Sequence, residues 1–454
     1  MCYNAGVMTY SGRKKIILDI FKESLRAVDP AESLHQVMPH VLSTFRQEGL
    51  RKIVLVGFGK AAVTMGKAVL ADLPDDIPVK GIILTKYGHV RETTFPASIE
   101  VYEAGHPIPD EAGVKATQKI IRLLDDADEH TLVVYLISGG GSSLLAALPE
   151  GLSLADEQAV TNLLLKAGAT IKELNTVRKH LSRVKGGGLA KMAYPARGIA
   201  LILSDVIGDK LDIIASGPTV PDTSTCGEAA DIVKRYSLAE KIPAAVMKML
   251  IDGSSRDIPD TQRQDDPIFT NIENIIIANN EKATAAAARK ASEYGFIAVS
   301  PANNIEGEAR VIAERFAQAA ISTKKRLASP GRQGMCFIYG GETTVTVTGA
   351  GTGGRNTEMA LAFALAISGI DGITFLAAGT DGADGPTDAA GAIVDGHTIP
   401  KARDMGLKPG DYLKNNDSYS FFKKTEELVI TGPTGTNVMD LYIALIESSP
   451  VMEK

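Results

Sequence analysis

Uninterrupted apolar runs recur along the chain at residues 53–56, 131–137 and 198–203, and each closes on glycine, serine or aspartate. Continuous rather than alternating apolar runs fit strands buried on both faces, as in a parallel sheet. A further strand fits 81–85. Residues 11–47 read as helices, because Ile17, Phe21 and Leu25 recur at helical spacing and Pro30 interrupts the run. The pattern changes after Tyr236. Residues 252–267 are polar, with two prolines, and read as an exposed linker or loop. New strand patterns follow at 275–278, 335–339, 373–378 and 428–431, and 343–348 alternates like a half-exposed strand. Residues 359–367 form a strong helix pattern. The prediction is α/β: two α/β domains, 1–240 with a parallel sheet and 241–454.

Composition sharpens this picture. A chain of 454 residues exceeds one ordinary core, and 44% hydrophobic with 22% charged residues is a globular composition. The net charge of -6 argues against a nucleic-acid or anionic-membrane partner, so attraction for an anion must be local. Cys2, Cys226 and Cys336 lie far apart without metal-ligand spacing, so neither disulfides nor a zinc site are expected. No apolar stretch has signal-peptide or membrane-span length, which makes the cytoplasm the expected location. A homo-oligomer is left open.

The chemistry falls on glycine-rich segments at the carboxyl ends of predicted strands, where α/β sheets bind ligands. Gly57-Phe58-Gly59-Lys60-Ala61-Ala62 leads from strand to helix. Its backbone N–H groups can hold an anion, which makes Gly57 and Gly59 nucleotide-binding candidates. Lys60 adds a charge suited to a transferring phosphoryl group. The same turn is a weak dinucleotide fingerprint. However, the second strand ends in Thr85-Lys86, where NAD would call for an acidic residue. Ser138-Gly139-Gly140-Gly141-Ser142-Ser143 is the second segment. Ser138, Gly139, Gly140, Ser142 and Ser143 are substrate-binding candidates through close backbone approach and hydroxyl donors. Further on, Arg178 is placed to grip a carboxylate through two parallel hydrogen bonds, with Lys185 as the alternative; a solvated helix face is the plainer reading. Asp205 ends the strand pattern at 198–203 and is a candidate catalytic residue or Mg²⁺ ligand, or a helix cap.

The second half supplies Gly340-Gly341-Glu342 and a glycine run ending in Gly353-Gly354-Arg355-Asn356. Arg355 falls at a helix N-terminus, against the dipole, which an anionic ligand would reconcile. Glu342, Gly353, Gly354 and Asn356 are nucleotide-binding candidates. In the loop 379–388, Asp381 and Asp388 are candidate metal ligands, with a solvated turn as the alternative.

Together these segments, with Gly105-His106-Pro107, Asn175 to Ser182 and Ser216-Gly217-Pro218, resemble the glycerate 2-kinase family, also called the MOFRL family. Its members were once labelled hydroxypyruvate reductases. The resemblance implies ATP-dependent phosphorylation of D-glycerate at the 2-hydroxyl. It also implies a Rossmann-like N-terminal domain and an active site in the interdomain cleft. It associates the lysine and arginine at positions 60 and 355 with activity. ATP and Mg²⁺ are the expected cofactors. On this reading Lys60 and Arg355 stabilise the transferring phosphoryl group, and Asp205 or Asp388 orients the hydroxyl or takes its proton. Two rivals stand beside it: an NAD(P)H-dependent hydroxypyruvate reductase and a sugar-phosphate-binding regulatory module.

Overall fold

The computed structural model describes residues 9–90, 94–255, 260–328 and 333–448. It divides into two compact units, one of residues 30–277 and one of residues 1–29 with 278–454. This is drawn differently from the expected 1–240 and 241–454. Residues 241–277 stay with the first unit, and the N-terminal helix Tyr10–Arg26 joins the second.

Arg13 shows why that helix packs there. It is 2% exposed. Its guanidinium donates to Thr374 Oγ1 at 3.0 Å, Glu447 Oε2 at 2.9 Å and Asp395 Oδ2 at 3.3 Å. A buried cation needs such partners, and helical periodicity in 11–47 does not say which sheet supplies them.

The unit of residues 30–277 holds a six-stranded sheet in the order β3-β2-β1-β4-β5-β6. The strands are β1 (Lys52–Phe58), β2 (Val79–Lys86), β3 (Ile99–Ala104), β4 (Thr131–Ile137), β5 (Arg197–Leu203) and β6 (Ile272–Ala278). The pairings β1–β2, β1–β4, β2–β3 and β4–β5 are parallel. This is the Rossmann order, in which the chain runs outward from β1 and then crosses back to its other side. The crossing opens a crevice at the carboxyl ends of β1 and β4. Every residue of β4 is buried, as its uninterrupted apolar sequence requires.

The second unit holds a mixed sheet in the order β11-β10-β9-β12-β8-β7. Its strands are β7 (Ile297–Glu308), β8 (Met335–Thr344), β9 (Ile373–Gly379), β10 (Gly391–Asp395), β11 (Leu428–Val429) and β12 (Asp440–Ile446). The central β12 runs antiparallel to both β8 and β9. Asp440 at its start therefore lies between Gly341 and Gly379, at the carboxyl ends of β8 and β9. The helix Arg355–Ala366 is apolar almost all round and buried from Asn356 to Ala364.

Two expected elements differ. The strand expected at 343–348 is only the end of β8, and the chain is irregular from 345 to 354. The expected linker 252–267 begins as the end of the helix Ala244–Ser254 and is only partly exposed, at Ser254, Ser255, Gln264, Asp265 and Pro267; residues 256–259 lie outside the described residues. Arg263 donates to the carbonyls of Asp222 and Ser224, and Gln262 N–H bonds Gly186 O at 3.2 Å. Among the described residues, no helix is long and apolar enough to cross a membrane.

Candidate active site

In the unit of residues 30–277 the candidates gather at the β1/β4 crevice. Gly57 itself is within β1, opposite Ile83 and Leu136. Gly59 has φ +122°, and a Cβ there would stand 2.2 Å from Ser138 Oγ, so only glycine lets the two loops touch. That contact consumes the first turn's donors. Lys60 N–H bonds Gly139 O at 2.9 Å, Ala61 N–H bonds Ser138 Oγ at 3.0 Å, and Gly59 N–H bonds Leu84 O at 3.1 Å. The expected backbone anion cradle at 57–62 is therefore closed by the neighbouring loop. Its use is to hold Lys60 in place.

The second loop is the open one. Gly140 adopts a left-handed conformation, φ +88°. The N–H groups of Gly139, Gly140 and Ser142 make no hydrogen bond among the described residues. Convergent free amides in such a turn form a nest for an anion. Ser142 Oγ is 2.8 Å from Ser216 Oγ, which donates to Asn175 Oδ1 at 3.3 Å. Ser143 is turned inward, its hydroxyl donating to Gly140 O at 3.1 Å. Asp205 presses on the same loop: a Cβ on Gly139 would stand 1.9 Å from its Oδ2.

Arg178 and Lys185 are not a solvated face. Arg178 is 8% exposed and Lys185 2%. Arg178 Nη2 donates to Ser142 O at 2.9 Å, while its buried Nε makes no hydrogen bond among the described residues and lies 3.8 Å from Glu157 Oε1. Lys185 Nζ donates to Leu145 O at 2.9 Å. Between them lies Glu157, 3.8 Å from each and equally buried. Burial lowers the Lys185 ammonium to about 8, with Arg178 adding to the effect and Glu157 opposing it. Lys185 thus backs the site, and Arg178 reaches the loop through its bond to Ser142 O while its Nε turns to Glu157.

Sequence reasoning missed Glu157 and the histidine beside this loop. A Cβ on Gly140 would stand 3.0 Å from His106 Nε2 and 3.5 Å from the Lys60 side chain. Burial first, and then the charges of Lys60 and Lys86, push the His106 imidazole down to about 4. It is neutral at pH 7, held so first by burial and then by the cations around it. Its signal was the motif Gly105-His106-Pro107, which carries no role by itself.

The second unit's candidates are arranged differently. Arg355 is held from both sides: Nε donates to Asp440 Oδ2 at 2.5 Å, Nη2 to Asp440 Oδ1 at 3.0 Å and Nη1 to Glu342 Oε1 at 2.6 Å. Burial works to depress its pKa, but Asp440 and Glu342 outweigh this and raise it. The cation at the helix N-terminus is thus reconciled by protein carboxylates, and no ligand is needed to explain it. Asp440, fully buried, was not among the expected residues.

The helix amides are taken as well. Asp384 accepts from Asn356 N–H at 2.9 Å, Thr357 N–H at 2.8 Å and Thr357 Oγ1 at 2.7 Å. Burial still raises its carboxyl to about 6 against those bonds. Gly353 and Gly354 are packed closely: a Cβ would stand 2.3 Å from Ser418 Oγ and from Asp384 Oδ1 respectively. The Asn356 side chain is fully buried, with both polar atoms unpaired among the described residues.

Asp381 and Asp388 do not come together in a ligand cluster. Asp388 is exposed and accepts from Tyr419 Oη at 2.8 Å. Asp381 accepts from Ala383 N–H at 3.1 Å. Asp381 and Asp440 both approach Gly379, where a Cβ would stand 3.2 Å and 3.4 Å from their Oδ1 atoms.

The chain is similar to known proteins over nearly its whole length. Residues 16–251 match the domain of unknown function DUF4147, and residues 335–440 match the MOFRL family. The chain is 44% identical over 435 residues to a protein of Thermotoga maritima named D-glycerate 2-kinase, covering 95% of this chain and 98% of that one. It is 40% identical over 443 residues to a Pyrococcus horikoshii protein named glycerate 2-kinase, covering 96% and 98%. A crystal structure of glycerate kinase from Thermotoga maritima superimposes with a TM-score of 0.87 at 43% identity, covering 96% of this chain and all of that one. With full-length likeness in both sequence and fold, the chain belongs to the glycerate 2-kinase, or MOFRL, family.

Proposed function

We propose that the chain transfers the terminal phosphoryl group of ATP to the 2-hydroxyl of D-glycerate, giving 2-phosphoglycerate and ADP. The observation that carries this reading is the crevice of β1 and β4, where amides at 139, 140 and 142 that make no hydrogen bond among the described residues lie beside Lys60 and the Arg178 guanidinium. Such a site takes a small anion, and the relatives' names say which.

Arg178 holds the glycerate carboxylate, with Lys185 and Glu157 fixing it from behind. Lys60 stabilises the transferring phosphoryl group, and the 139–142 amides hold its oxygens. In the transfer the 2-hydroxyl oxygen forms a bond to the terminal phosphorus. The bond to the ADP oxygen breaks, and the hydroxyl proton passes to Asp205. A loose phosphoryl-transfer transition state leaves charge stabilisation as the main contribution. Asp388 is the weaker acceptor candidate because its carboxylate is solvated and engaged by Tyr419.

Arg355 is the second phosphate-directed cation. A Mg²⁺ ion, which would neutralise and bridge nucleotide phosphates, fits Asp381 best. Its carboxylate is a hard oxygen donor, and Mg²⁺ needs only one or two carboxylates beside water and phosphate. Incubation with ATP, Mg²⁺ and D-glycerate, read by phosphorus NMR, tests the proposal. A phosphate on carbon 2 is expected. NADH oxidation by hydroxypyruvate without transfer would install the reductase instead. Tight phosphosugar binding without ATP turnover would install the regulatory module.

A further inference from the structure

Away from the crevice, three side chains from distant parts of the sequence point at one spot. His180 ends the helix Ile171–His180, Cys226 begins the helix Cys226–Arg235, and Asp260 follows on a third segment. Their ligand atoms all lie within 4.8 Å of one another. We propose that His180 Nδ1, Cys226 Sγ and Asp260 Oδ1 bind one thiophilic divalent cation, Zn²⁺ by preference, with the fourth position open to water.

The edges of the triangle support this. Cys226 Sγ is 3.5 Å from His180 Nδ1 and 3.4 Å from Asp260 Oδ1. Tetrahedral zinc with ordinary bond lengths sets its ligands about 3.3–3.6 Å apart. The third edge, His180 Nδ1 to Asp260 Oδ1, is 2.8 Å. That is a hydrogen bond, and it must open by about 0.5 Å when a cation replaces the proton. Asp260 is the most accessible of the three, its side chain 24% exposed, and so is the one able to give.

Charge and surroundings agree. A thiolate, a carboxylate and a neutral imidazole balance two positive charges, so the buried site becomes neutral. Binding replaces the Cys226 thiol proton, which leaves to solvent. The imidazole proton is then carried on Nε2, which lies 3.2 Å from Ser224 Oγ. Ser224 in turn donates to Asp222 Oδ1 at 2.9 Å. Arg263 occupies Oδ2 of Asp260, and Oδ1 accepts from Thr261 N–H at 2.9 Å, a bond that orients it and leaves a second lone pair for the cation. This is the outer layer that orients metal-binding histidines and carboxylates elsewhere.

Without a cation the thiol keeps its proton. Burial and the Asp260 charge push it up to about 12, so the trio is no activated nucleophile. Access runs through a cavity of about 620 Å³ lined by all three residues together with Ser182, Thr261 and Gln262. The spacings of 46 and 34 residues explain why the cysteine pattern predicts no zinc site. Because His180 lies two residues after Arg178, a bound cation also clamps the helix that carries Arg178 to two other segments.

The test uses the full chain, stripped with chelator and titrated with Co²⁺ alone. One equivalent is expected, with a near-ultraviolet sulfur-to-cobalt band, visible bands of tetrahedral cobalt, and bleaching by Zn²⁺. Cys226→Ser should abolish the near-ultraviolet band and weaken binding at least about 10-fold. A band that survives in Cys226→Ser comes from another thiol and overturns the site, as does the absence of any sulfur band in the parent. Should Cys226→Ser not fold, Asp260→Asn carries the same test, and unchanged affinity there is equally fatal. No readout depends on glycerate or ATP turnover, so failure of this site and failure of the kinase reading are separable.

Discussion

The two units handle glycine-rich loops in opposite ways. At the end of β4 the loop Ser138–Ser143 leaves amides free, and the basic side chains around it outnumber the acids. At the ends of β8 and β9 the cation and the helix amides are engaged, Arg355 by two carboxylates and the amides of Asn356 and Thr357 by Asp384, and the Asn356 side chain is left unpaired among the described residues. The first arrangement stores unsatisfied donors that an anion completes. The second engages its cation and helix amides without a ligand, which makes it a rigid platform whose cation is already oriented. A glycine-rich loop is thus no evidence of a phosphate site until its hydrogen bonds are assigned.

The contrast can be broken most directly at the two cations. Lys60→Ala should lower kcat/KM on the order of 10³-fold, as for other cations that stabilise a transferring phosphoryl group. Its thermal midpoint should stay near the parent's, because the ammonium makes no hydrogen bond or ion pair among the described residues. Near-parent turnover would end its assigned role. Arg355→Ala should lose activity and also about 2 kcal/mol of stability by chemical denaturation, since Asp440 is left buried and unpaired. That figure is set below the value for a fully buried pair because the guanidinium is 33% exposed. Adding Asp440→Asn should restore stability but not turnover.

Arg178→Lys sharpens the same comparison inside the open site. It keeps the charge and loses the fork, so KM for glycerate should rise about 10- to 100-fold with a smaller change in kcat. An unchanged KM would remove Arg178 from substrate binding. The smallest effect is a pH effect. His106 is lowered to about 4 in the folded chain, below its ordinary value of 6.5. Between those values the unfolded chain binds a proton that the folded one refuses, so stability falls as pH drops from 6.5 towards 4. His106→Asn should flatten that part of the thermal-midpoint profile, and an identical slope in the variant would show that the imidazole is not its source.

Much of the scaffold was legible. β1, β4, β5 and β9 are continuous apolar runs because both faces are covered, and hydrophobic pattern reports burial directly. β12 carries the same signature, although no strand is predicted there. β7 does not, because much of it is exposed at the sheet edge and its residues include Pro301, Asn303 and Asn304. Of the candidate site, Lys60, Asp205 and the Ser138–Ser143 loop were readable from residue type and strand-end position, and Arg178 from residue type alone. Glu157, Asp384 and Asp440 were not. Each acts on a residue at least 21 positions away, and an isolated acidic side chain in sequence looks like solvated surface.

The sequence by itself determined where the loops fall, which residue types they carry and which family the pattern resembles, since these follow from local periodicity and composition. Only the tertiary structure decided which donors are left over. Backbone and side-chain groups are satisfied by whatever packs against them, and here those partners arrive from elsewhere in the fold: Ser138 closes the Gly59 turn, Asp384 closes the Arg355 helix, and nothing among the described residues closes the amides at 139, 140 and 142.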